Sequence, residues 1–202
     1  MKNRAKKTFG QIRYEDKKNQ ILKNAAKIFA KKGFEKATME DVSNELLMTK
    51  GSLYHYIKSK EDMLFQCHMK ALGMSIRALE ETLNSDLPPR MKLHKAIIRH
   101  IEVITTEFVV GALRQQELLL PKHMQEKVIK ERDKFERIFL KIFREAIKTE
   151  HSNKNNIKMT AYAILGAINW IPRWYSAEGK LSPTQIGEMM ADYLIGKLES
   201  KG

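Results

Sequence analysis

Apolar residues recur along this chain at intervals of three and four, and they never alternate with polar residues for long. That period predicts helices throughout. In the first clear helix Ile21, Ala25, Ile28 and Phe29 share one face; Gly33 ends it, and Phe34 folds back against it. Thr38, with Asp41 three residues on, caps a second, short helix whose Met39, Val42 and Leu46 face inward. Thr49 opens a third over residues 50–57. Ser59 with Asp62 opens a fourth, which runs through Leu64, Cys67, Ala71 and Ile76 towards Leu83. The stretch NSDLPPR, residues 84–90, is the strong break in the middle of the chain. Beyond it the pattern predicts helices over 91–108 and 112–119, and a long one from Pro121 carrying Val128, Phe135, Phe139 and Phe143. The polar loop HSNKNN, residues 151–156, precedes a helix over 157–177 that Gly179 stops. Ser182, Pro183 and Gln185 then open the last helix, which runs to about residue 198. The expected fold is all-α with about nine helices.

The second and third helices, joined by Leu47 and Met48, have the spacing of a helix-turn-helix, whose second helix enters the major groove of DNA. On that second helix Leu53, Tyr56 and Ile57 lie on one face and can lock it onto its neighbours. Lys50, Gly51, Tyr54 and His55 occupy the opposite face. Glycine in an exposed helix costs about 1 kcal/mol relative to alanine, which makes sense where the backbone must approach DNA closely. Lysine reaches a phosphate or a guanine edge, and the tyrosine and histidine offer donors to phosphate.

Charge supports a polyanionic partner. The net charge is +13. Residues 1–64 hold fifteen Lys and Arg against eight Asp and Glu, while the other 138 residues hold twenty-two against sixteen. The first third is thus about twice as basic per residue, an asymmetry expected of a nucleic-acid-binding end. A basic arm, Lys2, Arg4, Lys6, Lys7 and Arg13, either reaches into a minor groove or is a solvated tail. The single cysteine, Cys67, excludes an intrachain disulfide and a Cys/His metal cluster. The N-terminus lacks the apolar run of a signal peptide, and AYAILGAINWIP, residues 161–172, is too short to span a bilayer. The expectation is a cytoplasmic protein without cofactor, metal or membrane contact.

The stretch ILKNAAKIFAKKGFEKATMEDVSNELLMTKGSLYHYIKSKEDMLF, residues 21–65, resembles the DNA-binding domain of TetR-family transcriptional regulators. It has the apolar helix, the Gly-aromatic turn, the threonine cap, the T/S-K-G-x-L-Y-x-Y segment and a lysine-glutamate pair opening the next helix. The resemblance implies a DNA-binding domain over 1–62 and an effector-binding and dimerisation domain over 63–202. It implies that Thr38 and Lys60 clamp phosphates, and that Thr49, Lys50, Gly51, Ser52, Tyr54 and His55 lie in or beside the groove. One departure stands out: Leu46 and Leu47 occupy a turn where the family has a small residue and then glycine. Either Leu47 adopts a left-handed conformation at a cost on the order of 1 kcal/mol, or the turn is rebuilt.

TetR-like proteins are homodimers that bind effectors in their C-terminal helices, so two uses compete for the apolar residues there. Gly166 and Ala167 permit close helix approach, and Ile164, Ile168 and Ile171 share a face. With Ile186, Met189, Met190, Tyr193 and Leu194 of the last helix they would make half of an intersubunit four-helix bundle, or pack within the monomer. NWIPRWY, residues 169–175, with ALRQQELLLP and VIKERDKFERIF, is similar to TetR members that respond to acyl-CoA thioesters. In that resemblance Phe108, Leu113, Phe139, Trp170 and Trp174 line a tunnel and Arg114, Arg132 or Arg173 meets the phosphates, unless these residues are ordinary core. The implied function is a repressor of a palindromic operator, released by a lipophilic effector. The alternatives are a sensor of cationic drugs, using Glu107 and Glu117, and an effector-free DNA-binding protein. Catalysis is not expected: Cys67 and His68 are adjacent on a helix and point apart, and there is no glycine-rich phosphate loop.

Overall fold

The computed structural model describes residues 8–113, 119–147 and 154–199. These form nine helices and no strand: α1 (Phe9–Lys32), α2 (Met39–Glu45), α3 (Lys50–Tyr54), α4 (Lys60–Leu83), α5 (Pro89–Ile104), α6 (Glu107–Leu113), α7 (Lys122–Ala146), α8 (Lys154–Trp174) and α9 (Pro183–Glu199). The all-α architecture is as expected. No helix among the described residues is long and apolar enough to cross a membrane.

Most boundaries follow side-chain caps. Thr38 accepts the Asp41 N–H while the Asp41 carboxylate accepts the Thr38 N–H; Ser182 and Gln185 do the same at α9. Ser59 accepts the Asp62 N–H at α4. Gly33 closes α1 at φ 78°, a conformation open to glycine at little cost, and the Phe29 and Phe34 rings meet edge to face at 5.4 Å across it.

Several boundaries differ from the sequence reading, among them the end of α3, which stops at Tyr54 rather than at residue 57. Helix α1 begins at Phe9, where Thr8 and Gln11 form a capping box, so Arg13 belongs to a helix rather than to the arm. The other arm residues lie outside the described residues. Helix α5 stops at Ile104, because the Thr105 and Thr106 hydroxyls donate to the carbonyls of Ile101 and Val103 and compete with helix propagation. Thr106 then accepts the Val109 N–H and starts α6 five residues earlier than expected, so that Phe108 belongs to α6. Helix α8 begins at Lys154, inside the expected loop, and ends at Trp174. Pro172, within its last turn, has no N–H to offer the Ile168 carbonyl.

Helix α4 is the spine. It packs on α1 at its start and on α5, α6 and α7 along its length, and it runs unbroken across residues 62 and 63. Helix α6 lies directly on α1. A Cβ on Gly111 would sit 2.4 Å from the Ala26 carbonyl oxygen, so the two backbones touch and nothing larger than glycine fits. Gly187 plays a similar part where α9 meets α5, with a built Cβ 3.0 Å from the Ile98 Cα.

His100 ties α5 to two neighbours. Its ring lies 4.6 Å from that of Phe135 on α7, and its Nε2 donates to Asn169 Oδ1 on α8 at 3.2 Å. Burial pushes its pKa down to about 4 from 6.5, against the smaller upward pull of Asn169. The unfolded chain therefore takes up a proton between pH 6.5 and 4 that the folded chain refuses. The stability held by the neutral ring is complete above pH 6.5 and falls by about 3 kcal/mol as pH drops through that window. Urea unfolding from pH 7 to 4 should show this loss in the natural protein and a flatter profile in His100→Leu. Parallel profiles would remove His100 as its source.

Candidate nucleic-acid interface

The N-terminal head is built around wholly buried Ile21, Ala25, Phe29, Leu53, Ile57, Met63 and Leu64. Leu53 within α3 and Ile57 just beyond its end anchor it to the core. Thr49, Lys50, Gly51, Ser52, Tyr54 and His55 are all exposed, as the spacing predicts for Lys50, Gly51, Tyr54 and His55. Thr38 and Thr49 accept the N–H groups of Asp41 and Ser52 at their helix starts. Each hydroxyl keeps its own proton to donate to an incoming phosphate. Gly51 has nothing within 4 Å of a built Cβ and no positive φ, so folding does not require glycine there.

Lys50 Nζ lies 2.9 Å from Glu40 Oε2, and that hydrogen bond holds the ammonium pKa above its ordinary value. Both side chains are more than half exposed, so the pair is weak and can be exchanged for a phosphate. Asp41 is fixed by Lys32 at 2.6 Å, which, with the Thr38 N–H, holds its carboxyl below the usual range.

The turn keeps the left-handed residue: Leu47 sits at φ 50° with 95% of its surface exposed. Its N–H donates to the Asn44 carbonyl and the Met48 N–H to the Ser43 carbonyl. The strain is on the order of 1 kcal/mol, and the leucine side chain projects into solvent at the head's surface.

Lys60, expected as a phosphate clamp, is engaged within the fold. Its ammonium donates to the carbonyls of Phe34 and Glu35 at 3.1 and 3.2 Å and sits 4.5 Å from the centre of the Phe34 ring. It pins the α1–α2 turn to the start of α4. A second bracket was not anticipated: Tyr14, on the N-terminal half of α1, stacks on Tyr56 at 4.8 Å and meets His55 edge-on at 5.9 Å. The only sequence signal for it is that Tyr14 stands seven residues before Ile21, in register with the buried stripe.

In the C-terminal helices the expected sites are redrawn. Ile164, Ile168, Ile171 and Ile186 are at most 5% exposed within the chain itself; they are core, not a free dimer face. Tyr193 is exposed, and Met190 and Leu194 are half-buried. A Cβ on Gly166 would meet nothing within 4 Å among the described residues outside its own helix. Trp170 and Trp174 are more than half exposed, with the Arg173 guanidinium 4.6 Å over the Trp170 ring. Phe139 is wholly buried against Phe143, while Phe108 is covered by Lys70 at 5.0 Å. These residues therefore do not line one tunnel. The phase of α8 explains it: Ile164, Ile168 and Ile171 turn inward, which sends Trp170 and Trp174 outward. The Leu113 side chain, Arg114 and Glu117 lie outside the described residues. Glu107 is exposed and paired with Lys27 at 3.1 Å, unlike a buried acid for a cationic drug. Cys67 is enclosed, its pKa pushed up to about 12 by burial, which leaves it no thiolate for chemistry.

Comparison with known proteins agrees with this geometry. Residues 21–67 match the family described as bacterial regulatory proteins, tetR family, and residues 86–198 match the tetracyclin repressor-like C-terminal domain. The HTH-type transcriptional repressor KstR2 of Mycolicibacterium smegmatis is 25% identical over 190 residues, covering 92% of this chain and 93% of its own. The structure of the TetR-family regulator PfmR from Thermus thermophilus superposes with a TM-score of 0.79 at 26% identity, over 88% and 97% of the two chains. That of AibR, solved with isovaleryl coenzyme A and operator DNA, gives 0.75 at 21% identity over 87% and 96%, a likeness of fold. With both halves matched and a helix-turn-helix exposed as the fold requires, this chain belongs to the TetR family of transcriptional regulators.

Proposed function

We propose that the protein is a cytoplasmic homodimeric repressor that grips a palindromic operator through two copies of α3 and lets go when a lipophilic effector binds. The observation that carries this reading is the division of α3 and the turn that follows it: Leu53 and Ile57 are wholly buried, while Lys50, Gly51, Tyr54 and His55 stand free of the core. Thr38, Thr49 and Ser52 add hydroxyls around the same face. An acyl-CoA is the favoured effector, supported by AibR, whose fold this chain shares and whose structure holds isovaleryl coenzyme A with operator DNA. Glu107, exposed and paired, gives no support to a cation-sensing pocket.

A palindromic duplex selected from random DNA by the protein tests the reading by fluorescence anisotropy. Tyr54→Ala should weaken binding about tenfold, on the order of 1–2 kcal/mol, and Lys50→Gln should weaken it on every sequence alike. Octanoyl-CoA should drive the natural protein off the duplex. If both variants keep full affinity, α3 is not the reading element.

A further inference from the structure

A cleft of about 450 Å³ opens where the head meets the body, beneath the C-terminal end of α3. One wall comes from α1 and the α3–α4 turn, the other from the start of α4 and the first turn of α7. Its volume falls in the range of small-molecule sites. The chemistry of the walls is selective. Tyr14 stacked on Tyr56 gives a flat aromatic surface, and Phe65, with Lys127 6.0 Å from its ring centre, gives another. Lys18, Lys58 and Lys127 line the same space, and none of them forms an ion pair with another described residue. The one carboxylate among the described lining residues, Asp62, is already engaged. Its Oδ2 accepts the Lys58 N–H and its Oδ1 accepts Gln66 Nε2, both at 2.9 Å. The lining is therefore net positive and walled by aromatic rings.

We propose that this cleft is a binding site for a small aromatic anion, separate from any effector site among the C-terminal helices. An aromatic ring lies along the tyrosine and phenylalanine surfaces, and its carboxylate or phosphate takes the lysine ammonium groups that have no ion-pair partner among the described residues. A neutral aromatic compound satisfies only the first set of contacts, and an inorganic anion only the second. Tyr54 and His55 stand on the rim, so occupancy also draws on side chains of the proposed DNA face. That consequence rests on the repressor reading; binding in the cleft does not.

Calorimetric titration of the full chain without DNA separates the two. Benzoate should bind at least tenfold more tightly than benzyl alcohol or inorganic phosphate. Lys127→Gln should weaken benzoate at least tenfold with an unchanged melting temperature, and Lys127→Arg should restore it. Equal binding of benzyl alcohol or phosphate, benzoate affinity indifferent to Lys127→Gln, or no saturable benzoate binding would each overturn the site. With the selected duplex added, benzoate should release the natural protein and not Lys127→Gln. Binding without release would overturn the shared use of Tyr54 and His55, while loss of duplex binding by the untreated protein would strike the repressor reading alone.

Discussion

Replacing Trp170 and Tyr193 together with aspartate should leave a folded monomer that binds the operator at least one hundred times more weakly. The outer faces of α8 and α9 expose Met159, Trp170, Trp174, Met189 and Tyr193, each more than half uncovered. Aromatic side chains of this size bury roughly 150–250 Å² each when covered, worth about 25 cal/mol per Å². In the proposed two-fold dimer each of them would count twice. Exposed Gly166 and Ala167 leave room for a second backbone beside α8. Charges buried there would oppose association, and both side chains are more than half exposed in the single chain and outside its buried core. A hundredfold loss corresponds to about 2.7 kcal/mol, less than the gain from tethering a second reading head. Light scattering on an eluting column and anisotropy on the duplex read the two effects. A variant that remains dimeric would place the interface elsewhere, and a monomer that keeps its affinity would refute the need for a partner.

The second large effect is at Gly111. Alanine is the better helix former by about 1 kcal/mol, so Gly111→Ala would stabilise an unconstrained helix. Here the new methyl would lie 2.4 Å from the Ala26 carbonyl oxygen. The methyl is fixed by its own backbone and the Ala26 carbonyl it meets is backbone, so no rotamer relieves the clash and α6 must lift from α1. The cost should be about 3 kcal/mol, towards the upper end for overpacking, and should lower the melting temperature by roughly 6–12 °C. Lys27 and Glu107 span the same joint at 3.1 Å, so separation should also loosen the coupling of head to body. Gly51→Ala is the matched control. With open space around it, it should raise stability by up to about 1 kcal/mol and weaken operator binding. Equal melting behaviour of the two variants would show that the α1–α6 approach is not tight.

The reading head was largely legible from local chemistry. Capping pairs such as Thr38 with Asp41 and Ser59 with Asp62 act within four residues, so their physics is written in consecutive letters. The left-handed Leu47 was open to inspection for the same reason: the turn fixes the backbone whatever residue fills it. What stayed hidden was set by distant neighbours. The first half of α1 carries exposed Phe9 and Ile12 and no buried stripe, so periodicity began only at Ile21. Lys60 has the composition of a phosphate ligand, but carbonyls twenty-five residues away claim it. Helix α8 is apolar on both faces, and only the packing of α5 to α7 decides that its isoleucines turn inward and its tryptophans outward. The effector residues scattered for the same reason.

The central claim is that two copies of one exposed, cationic α3 face read one duplex. Its most direct measurement is the salt dependence and stoichiometry of binding to the selected palindrome. Two chains should bind per duplex, and affinity should fall steeply with salt, by roughly 0.9 in log K per phosphate neutralised for each unit of log salt concentration. One chain per duplex, or an affinity indifferent to salt, would contradict it.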